Sequence, residues 1–228
     1  MCGIIARIGN GDAITKLVSG LENLEYRGYD SAGVAVQNGS GISVYKRSGQ
    51  VSELKDELVS SVPKGNVGIG HTRWSTHGPP TDENAHPHTS QTDKVAVVHN
   101  GIIENYTELK EMLRENGHEF TSDTDTEVIP HLFEYYLENS DENVTAFRQT
   151  VRDLEGSYAV AALVDGKHAI YAARQGSPLI LGLDNEEYYL ASDAPAFLDH
   201  TEDVVYFQDG DMAILEPSGV TMTDMEGN

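Results

Sequence analysis

Apolar residues are sorted along this chain by period, and the sorting constrains the fold more than any other feature. Helical spacing is bunched in the middle of the chain, over 104–116, 126–137 and 144–154. Short strand-like runs occupy both ends. Early ones cover 3–8, 32–36, 42–45, 67–70 and 95–98. Late ones cover 158–164, 168–172, 179–181, 188–191, 204–207 and 212–215, with turn signals such as Asp165-Gly166 and Asp209-Gly210 between them. Ile14, Leu17, Val18, Leu21 and Leu24 add one early helix behind an Asp12 cap, and 51–59 predicts a short second one. Strands and helices segregated in this way predict an α+β protein with antiparallel sheets. Residues 221–228 are polar and predict no element. The 228 residues are enough for one large core, so a single domain over 1–228 is the expectation.

Charge and cysteine content remove several functional classes. With 15 basic and 37 acidic residues the net charge is −22, spread along the chain, and such a surface repels phosphate backbones. Nucleic acid is therefore not an expected partner. The same acidity with little lysine fits a halophilic cytoplasm, where salt screens the self-repulsion. No apolar run approaches the roughly 18 residues of a membrane helix, and the N-terminus lacks a secretory signal pattern, so no membrane partner and a cytoplasmic location are expected. One cysteine leaves no internal disulfide and no multi-cysteine metal site.

That cysteine is Cys2, followed by Gly3. Removal of Met1 would place a thiol and a primary amine on one residue. An α-amino group titrates at about 7.7 to 8.0, close enough to neutrality to serve as a base for its own side chain. The bland alternative is a small buried residue opening a strand.

Three further stretches carry candidate chemistry. Val95 to Val98 end at His99-Asn100-Gly101, where a strand that stops can aim a carboxamide N–H and a glycine N–H at one point, the geometry an oxyanion needs. Asn-Gly is equally a common turn dipeptide. The polar stretch 71–93 contains His71-Thr72-Arg73-Trp74-Ser75-Thr76-His77-Gly78, in which an arginine fork and threonine hydroxyls suit a carboxylate and Trp74 can cover a ligand. A loop of that length is uncommon unless functional. Thr124-Asp125-Thr126-Glu127 reads either as a capping box or as a site where Asp125 meets a ligand ammonium. His71, His77, His86, His88 and His99 invite a metal reading, but Pro87 between His86 and His88 and the missing i, i+4 pairing match no zinc pattern, so no metal and no cofactor are expected.

Taken together, Met-Cys-Gly-Ile-Ile, Leu24-Glu25-Tyr26-Arg27-Gly28-Tyr29-Asp30-Ser31-Ala32-Gly33, the 71–78 segment, Asn84-Ala85-His86-Pro87-His88, Val98 to Asn105 and Thr124 to Glu127 resemble the glutaminase domains of the glucosamine-6-phosphate synthase family, within the class II glutamine amidotransferases. The resemblance runs over essentially the whole chain, in the family's order. It implies a four-layer αββα N-terminal nucleophile hydrolase sandwich. It also implies glutamine hydrolysis through a Cys2 thioester, with Asn100 and Gly101 as oxyanion donors. Arg73 and Thr76 would hold the glutamine carboxylate and Asp125 its ammonium. Trp74 and His77 would complete the pocket, with Arg27 and His86 close by in structural or gating roles. Family members continue into sugar-isomerase domains and act as homodimers, so those domains, absent from these 228 residues and carried on the same full-length chain or on a separate subunit, are the expected partner besides L-glutamine. A class II amidotransferase serving purine synthesis and a non-catalytic glutamine-sensing module are the competing readings.

Overall fold

The computed structural model describes residues 2–39, 41–60, 64–75 and 78–228. In chain order, β1 (Gly3–Gly9) leads into α1 (Ala13–Leu24), whose first N–H groups are taken by the Asp12 carboxylate as its sequence predicts. The hairpin β2 (Ser31–Asn38) and β3 (Gly41–Ser48) is followed by α2 (Val51–Ser60), β4 (Val67–Arg73), the two-residue β5 (His88–Thr89) and β6 (Val95–Ile103). The helices α3 (Tyr106–Glu115), α4 (Val128–Leu137) and α5 (Asn143–Asp153) come next, then the late strands. These are β7 (Gly156–Val164), β8 (Ile170–Gln175), β9 (Ile180–Leu183), β10 (Glu187–Ala191), β11 (Val204–Tyr206), β12 (Asp211–Glu216) and β13 (Gly219–Asp224).

Two antiparallel sheets result, ordered β11-β9-β10-β1-β4-β2-β3 and β13-β12-β8-β7-β6-β5. Period-two alternation sends neighbouring residues to opposite faces. In β6, Val95 and Val97 join a core with Leu132, Phe133 and Phe147 of the mid-chain helices, whereas Ala96 and Val98 join a core between the sheets. In β1, Ile4, Ala6 and Ile8 enter that inter-sheet core while Ile5 packs against Leu17 and Leu21 of α1. Three apolar layers separated by two sheets make the αββα order. β1 and the first six residues of β6 are buried on each face, which is why they read as continuous apolar runs rather than alternating ones.

Four sequence expectations need correction. The stretch 71–93 is not loop throughout, since β4 continues to Arg73 and His88–Thr89 pair with β6 as β5. The strand expected over 95–98 does not stop at Asn100-Gly101; β6 runs to Ile103 and pairs with β7 through Gly101 opposite Tyr158 and Ile102 opposite Ser157, because Gly101 adopts φ +129° and lets the strand bend without ending. The polar tail contains an element, β13, an edge strand paired only with β12 and half exposed, so its sequence carries no apolar signature. The Thr124/Glu127 capping box does not form. Glu127 instead accepts the backbone N–H groups of Thr121 and Ser122, each at 2.8 Å, and α4 begins after it.

Candidate active site

The inter-sheet face changes character at one end. Continuing the parity of Ile4 back along β1 reaches Cys2; continuing Ile69 along β4 reaches His71 and Arg73; continuing Val98 along β6 reaches Asn100. The apolar layer thus runs into a polar cluster, with the cysteine at the head of a strand hydrogen-bonded on both sides.

Cys2 is half-buried. Its Sγ accepts the Trp74 backbone N–H at 3.2 Å. Its carbonyl accepts from Asn100 Nδ2 at 3.1 Å and from Arg27 Nε at 3.0 Å. Arg27 is further tied to Asp193 at 3.0 Å, and Tyr26 donates its hydroxyl to the same carboxylate, so the residue bearing the thiol is clamped through its main chain. Burial pushes the Cys2 thiol above its ordinary pKa, against the lowering effects of the Trp74 N–H and of the Arg73 and Arg27 charges. The resting thiol therefore holds its proton and needs a base.

Close approach explains two glycines. A Cβ on Gly28 would lie 2.6 Å from the Arg73 carbonyl carbon and 2.8 Å from Trp74 N, the donor to Sγ. A Cβ on Gly101 would lie 1.8 Å from Ser157 O.

One cavity is lined by Cys2, Arg73, Trp74, His86, His99, Gly101, Thr124, Asp125 and Thr126. A second, holding Arg27, Asn100 and Ser157, shares Cys2, Trp74 and Gly101 with it as a common wall. The first contains opposite charges in Arg73 and Asp125, as an amino-acid head group requires. Arg73 is buried and donates to the carbonyls of Pro79 and Gly78, both at 3.3 Å. Asp125 accepts the Ile103 N–H at 2.8 Å, which fixes one carboxylate oxygen. Trp74 is exposed and meets Tyr29 edge to face at 5.4 Å. A wider cavity of about 690 Å³ lies beyond the opposite end of β1, lined by residues such as Asp12, Lys64 and His168, with no cysteine, serine or threonine among the described residues that line it.

Of the residues predicted from sequence, the structure brings together Cys2, Arg27, Arg73, Trp74, His86, Asn100, Gly101 and Asp125. Thr76 and His77 lie outside the described residues, as does Met1. Sequence reasoning missed Thr126, which contacts His99 Nδ1 through its hydroxyl at 2.8 Å, and His71, whose Nε2 is 3.0 Å from Asn100 Oδ1. Among the described residues no group of three or more His, Cys, Asp or Glu side chains is arranged to hold a metal ion.

His71, His86, His88 and His99 instead form a buried, neutral layer along one side of the cavity. His71 stacks on His86 at 4.1 Å, and His86 meets His88 edge-on at 4.8 Å. Desolvation drives His71 down to about 3 and His99 to about 4, with His86 and His88 also well below the usual value. Unfolded histidines titrate near about 6.5, so the denatured chain binds more protons at mildly acidic pH. The stability these groups contribute is complete above that value and is lost as pH falls toward the folded pKa, at about 1.4 kcal/mol per pH unit for each. Urea unfolding should give a constant midpoint between pH 8 and 7 and a steep fall below about 6.5. A midpoint that is flat down to about pH 4.5 would show that the layer is not held neutral by burial.

A family profile described as a glutamine amidotransferase domain matches residues 71–199. The chain is 48% identical over 227 residues to a glutamine–fructose-6-phosphate aminotransferase (isomerizing) of Thermus thermophilus, covering all of this chain and 37% of that protein. It is 50% identical over 230 residues to the protein of the same name from Methanothermobacter thermautotrophicus, covering 39% of it. The chain thus spans well under half of the curated relatives it matches. Among solved structures, glutamine phosphoribosylpyrophosphate amidotransferase from B. subtilis superposes over the whole chain with TM-score 0.83 and 28% identity, covering 50% of that chain. A second structure, described as the allosteric regulatory enzyme of purine biosynthesis, does so with TM-score 0.85, also at 28% identity and 50% of that chain.

Proposed function

The chain belongs to the glutamine amidotransferase family, and on that premise we propose that it hydrolyses L-glutamine to L-glutamate and ammonia through a γ-glutamyl thioester on Cys2 once Met1 has been removed. The observation that carries this reading is the placement of Cys2 Sγ in the wall of a cavity that also holds Arg73 and Asp125, with Asn100 Nδ2 bound to the carbonyl of the same cysteine.

The thiol proton passes to the α-amino group of Cys2, and sulfur attacks the side-chain carbonyl carbon of glutamine. Negative charge gathers on oxygen, where the Asn100 carboxamide and the Gly101 N–H stabilise it. The C–N bond then breaks; the ammonium returns its proton to the departing nitrogen, and ammonia leaves. Water attacks the thioester, giving glutamate and the free thiol. Arg73 pairs with the α-carboxylate, aided by Thr76, and Asp125 with the α-ammonium. Trp74 and His77 close the pocket. Arg27 and His86 hold its frame.

The ammonia passes to fructose 6-phosphate on sugar-isomerase domains, carried on the same full-length chain or on a separate subunit, forming glucosamine 6-phosphate in a cytoplasmic homodimer. The identities of 48% and 50% to the sugar-phosphate aminotransferases, against 28% to the purine enzymes, favour this branch.

Asn100→Ala is expected to lower kcat for ammonia release by about 10² to 10³-fold with little change in KM, since the donor acts mainly on the transition state. In the same assay asparagine and simple amides should be poor substrates, because only glutamine satisfies Arg73 and Asp125 at the correct distance from sulfur. Hydrolysis of a simple amide within tenfold of glutamine would overturn the assignment.

A further inference from the structure

Asn100 can serve as an oxyanion donor in only one of its two amide orientations. Turning the carboxamide over exchanges Oδ1 and Nδ2 without changing its shape, so packing does not choose between them; hydrogen bonds must. On one side the Cys2 carbonyl, 3.1 Å from Nδ2, accepts. On the other side His71 Nε2 stands 3.0 Å from Oδ1 and also 3.1 Å from the His99 carbonyl oxygen. A carbonyl oxygen has no proton to give, so His71 Nε2 must carry the hydrogen. The main chain of β6 thereby fixes the tautomer, and an N–H pointing at Asn100 demands an oxygen there. The reversed amide would set donor against donor in a buried place.

We propose that His71 is a positioning residue whose Nε2–H, held in that tautomer by the His99 carbonyl, locks the Asn100 amide with Nδ2 toward the nucleophile. The inference rests on the reading of Asn100 as oxyanion donor. Three features support the lock. The imidazole is fully enclosed and stacked on His86 with an interplanar angle of 19°, which fixes the ring plane. His86 is itself held by accepting the His99 backbone N–H on Nδ1 at 3.4 Å. His71 Nδ1 has no hydrogen-bond partner among the described residues, so a second ring proton would find no acceptor there. The lone pair left on Nδ1 is the less costly state, in keeping with a ring that stays neutral. Burial here serves orientation: a charged or mobile histidine would release the amide.

Two measurements test this. On the unaltered protein, long-range proton–nitrogen correlation of the imidazoles should show His71 as the Nε2–H tautomer; the Nδ1–H tautomer would refute the lock without any mutation. In kinetics, His71→Phe should lower kcat for thioester formation about 10- to 100-fold, less than removal of a whole donor, with KM for glutamine within about twofold. His71→Gln, which can present an N–H near the same point, should recover most of that loss. In an Asn100→Ala background, His71→Phe should cost nothing further. An undiminished penalty in that background, or a kcat for His71→Phe within about threefold of the parent, would overturn the proposal. If His71→Phe fails to fold, the tautomer measurement decides alone. Failure of the functional reading looks different: the unaltered chain would not hydrolyse glutamine, or Asn100→Ala would run at parental speed.

Discussion

Replacing Cys2 by alanine should reduce glutamine hydrolysis by about a millionfold, leaving only what binding and oxyanion donors provide without a nucleophile. The expectation follows from position. Cys2 sits at the head of β1, and its carbonyl, not its side chain, makes the anchoring bonds to Asn100 and Arg27. Removing Sγ therefore leaves the clamp intact and takes away only the contacts with Trp74. Thermal stability should change little, and glutamine should still bind between Arg73 and Asp125. Loss of turnover with retained folding and binding separates a chemical role from a structural one. A variant that still released ammonia within about a hundredfold of the parent would place the nucleophile elsewhere.

Retention of Met1 should be damaging but less so, with a loss of about 10² to 10⁴-fold, the usual contribution of a positioned general base. With Met1 present the Cys2 nitrogen is an amide and cannot take a proton at neutral pH. The thiol, raised by burial, does not ionise unaided. The sign of the pH dependence follows. An amine accepts a proton only when neutral, so kcat/KM of processed enzyme should be full above the amine pKa and fall about tenfold per pH unit below it, with the midpoint near the reference 7.7 to 8.0. Intact mass identifies the two forms, and aminopeptidase trimming of the Met1-bearing form should restore turnover. Equal activity of both forms would exclude the amine as base. A chain that keeps Met1 and binds glutamine without producing glutamate would be the sensor.

Much of this was legible in the sequence, for physical reasons that differ from element to element. The amphipathic helices announce themselves because each buries one face, as Leu17, Leu21 and Leu24 do in α1. The Cys-Gly start and the Asn-Gly pair are visible because their chemistry is local. What escaped depends on partners distant in sequence. β13 lies at a sheet edge with no apolar face to betray it. The last residues of β6 break alternation because Gly101 and Ile102 are exposed at the rim of the site. Glu127 looked like half of a capping box, but its carboxylate is committed to the chain arriving before α4. His71 draws notice only as a candidate metal ligand, and nothing local points to its contact with Asn100. Its contact with Asn100 joins β4 of one sheet to β6 of the other, and only the register of both sheets brings them together. The five histidines that raised a metal reading include four that form the neutral layer along one side of the cavity.

The central claim is that one residue, Cys2, attacks the side-chain carbonyl of glutamine. Treating Met1-free protein with a glutamine-like diazoketone and mapping the peptides by mass tests it most directly. The account predicts one adduct per chain, on the N-terminal peptide at Cys2, formed in step with loss of activity and slowed by excess glutamine. An adduct on any other residue, or full inactivation with the Cys2 peptide unmodified, would contradict it.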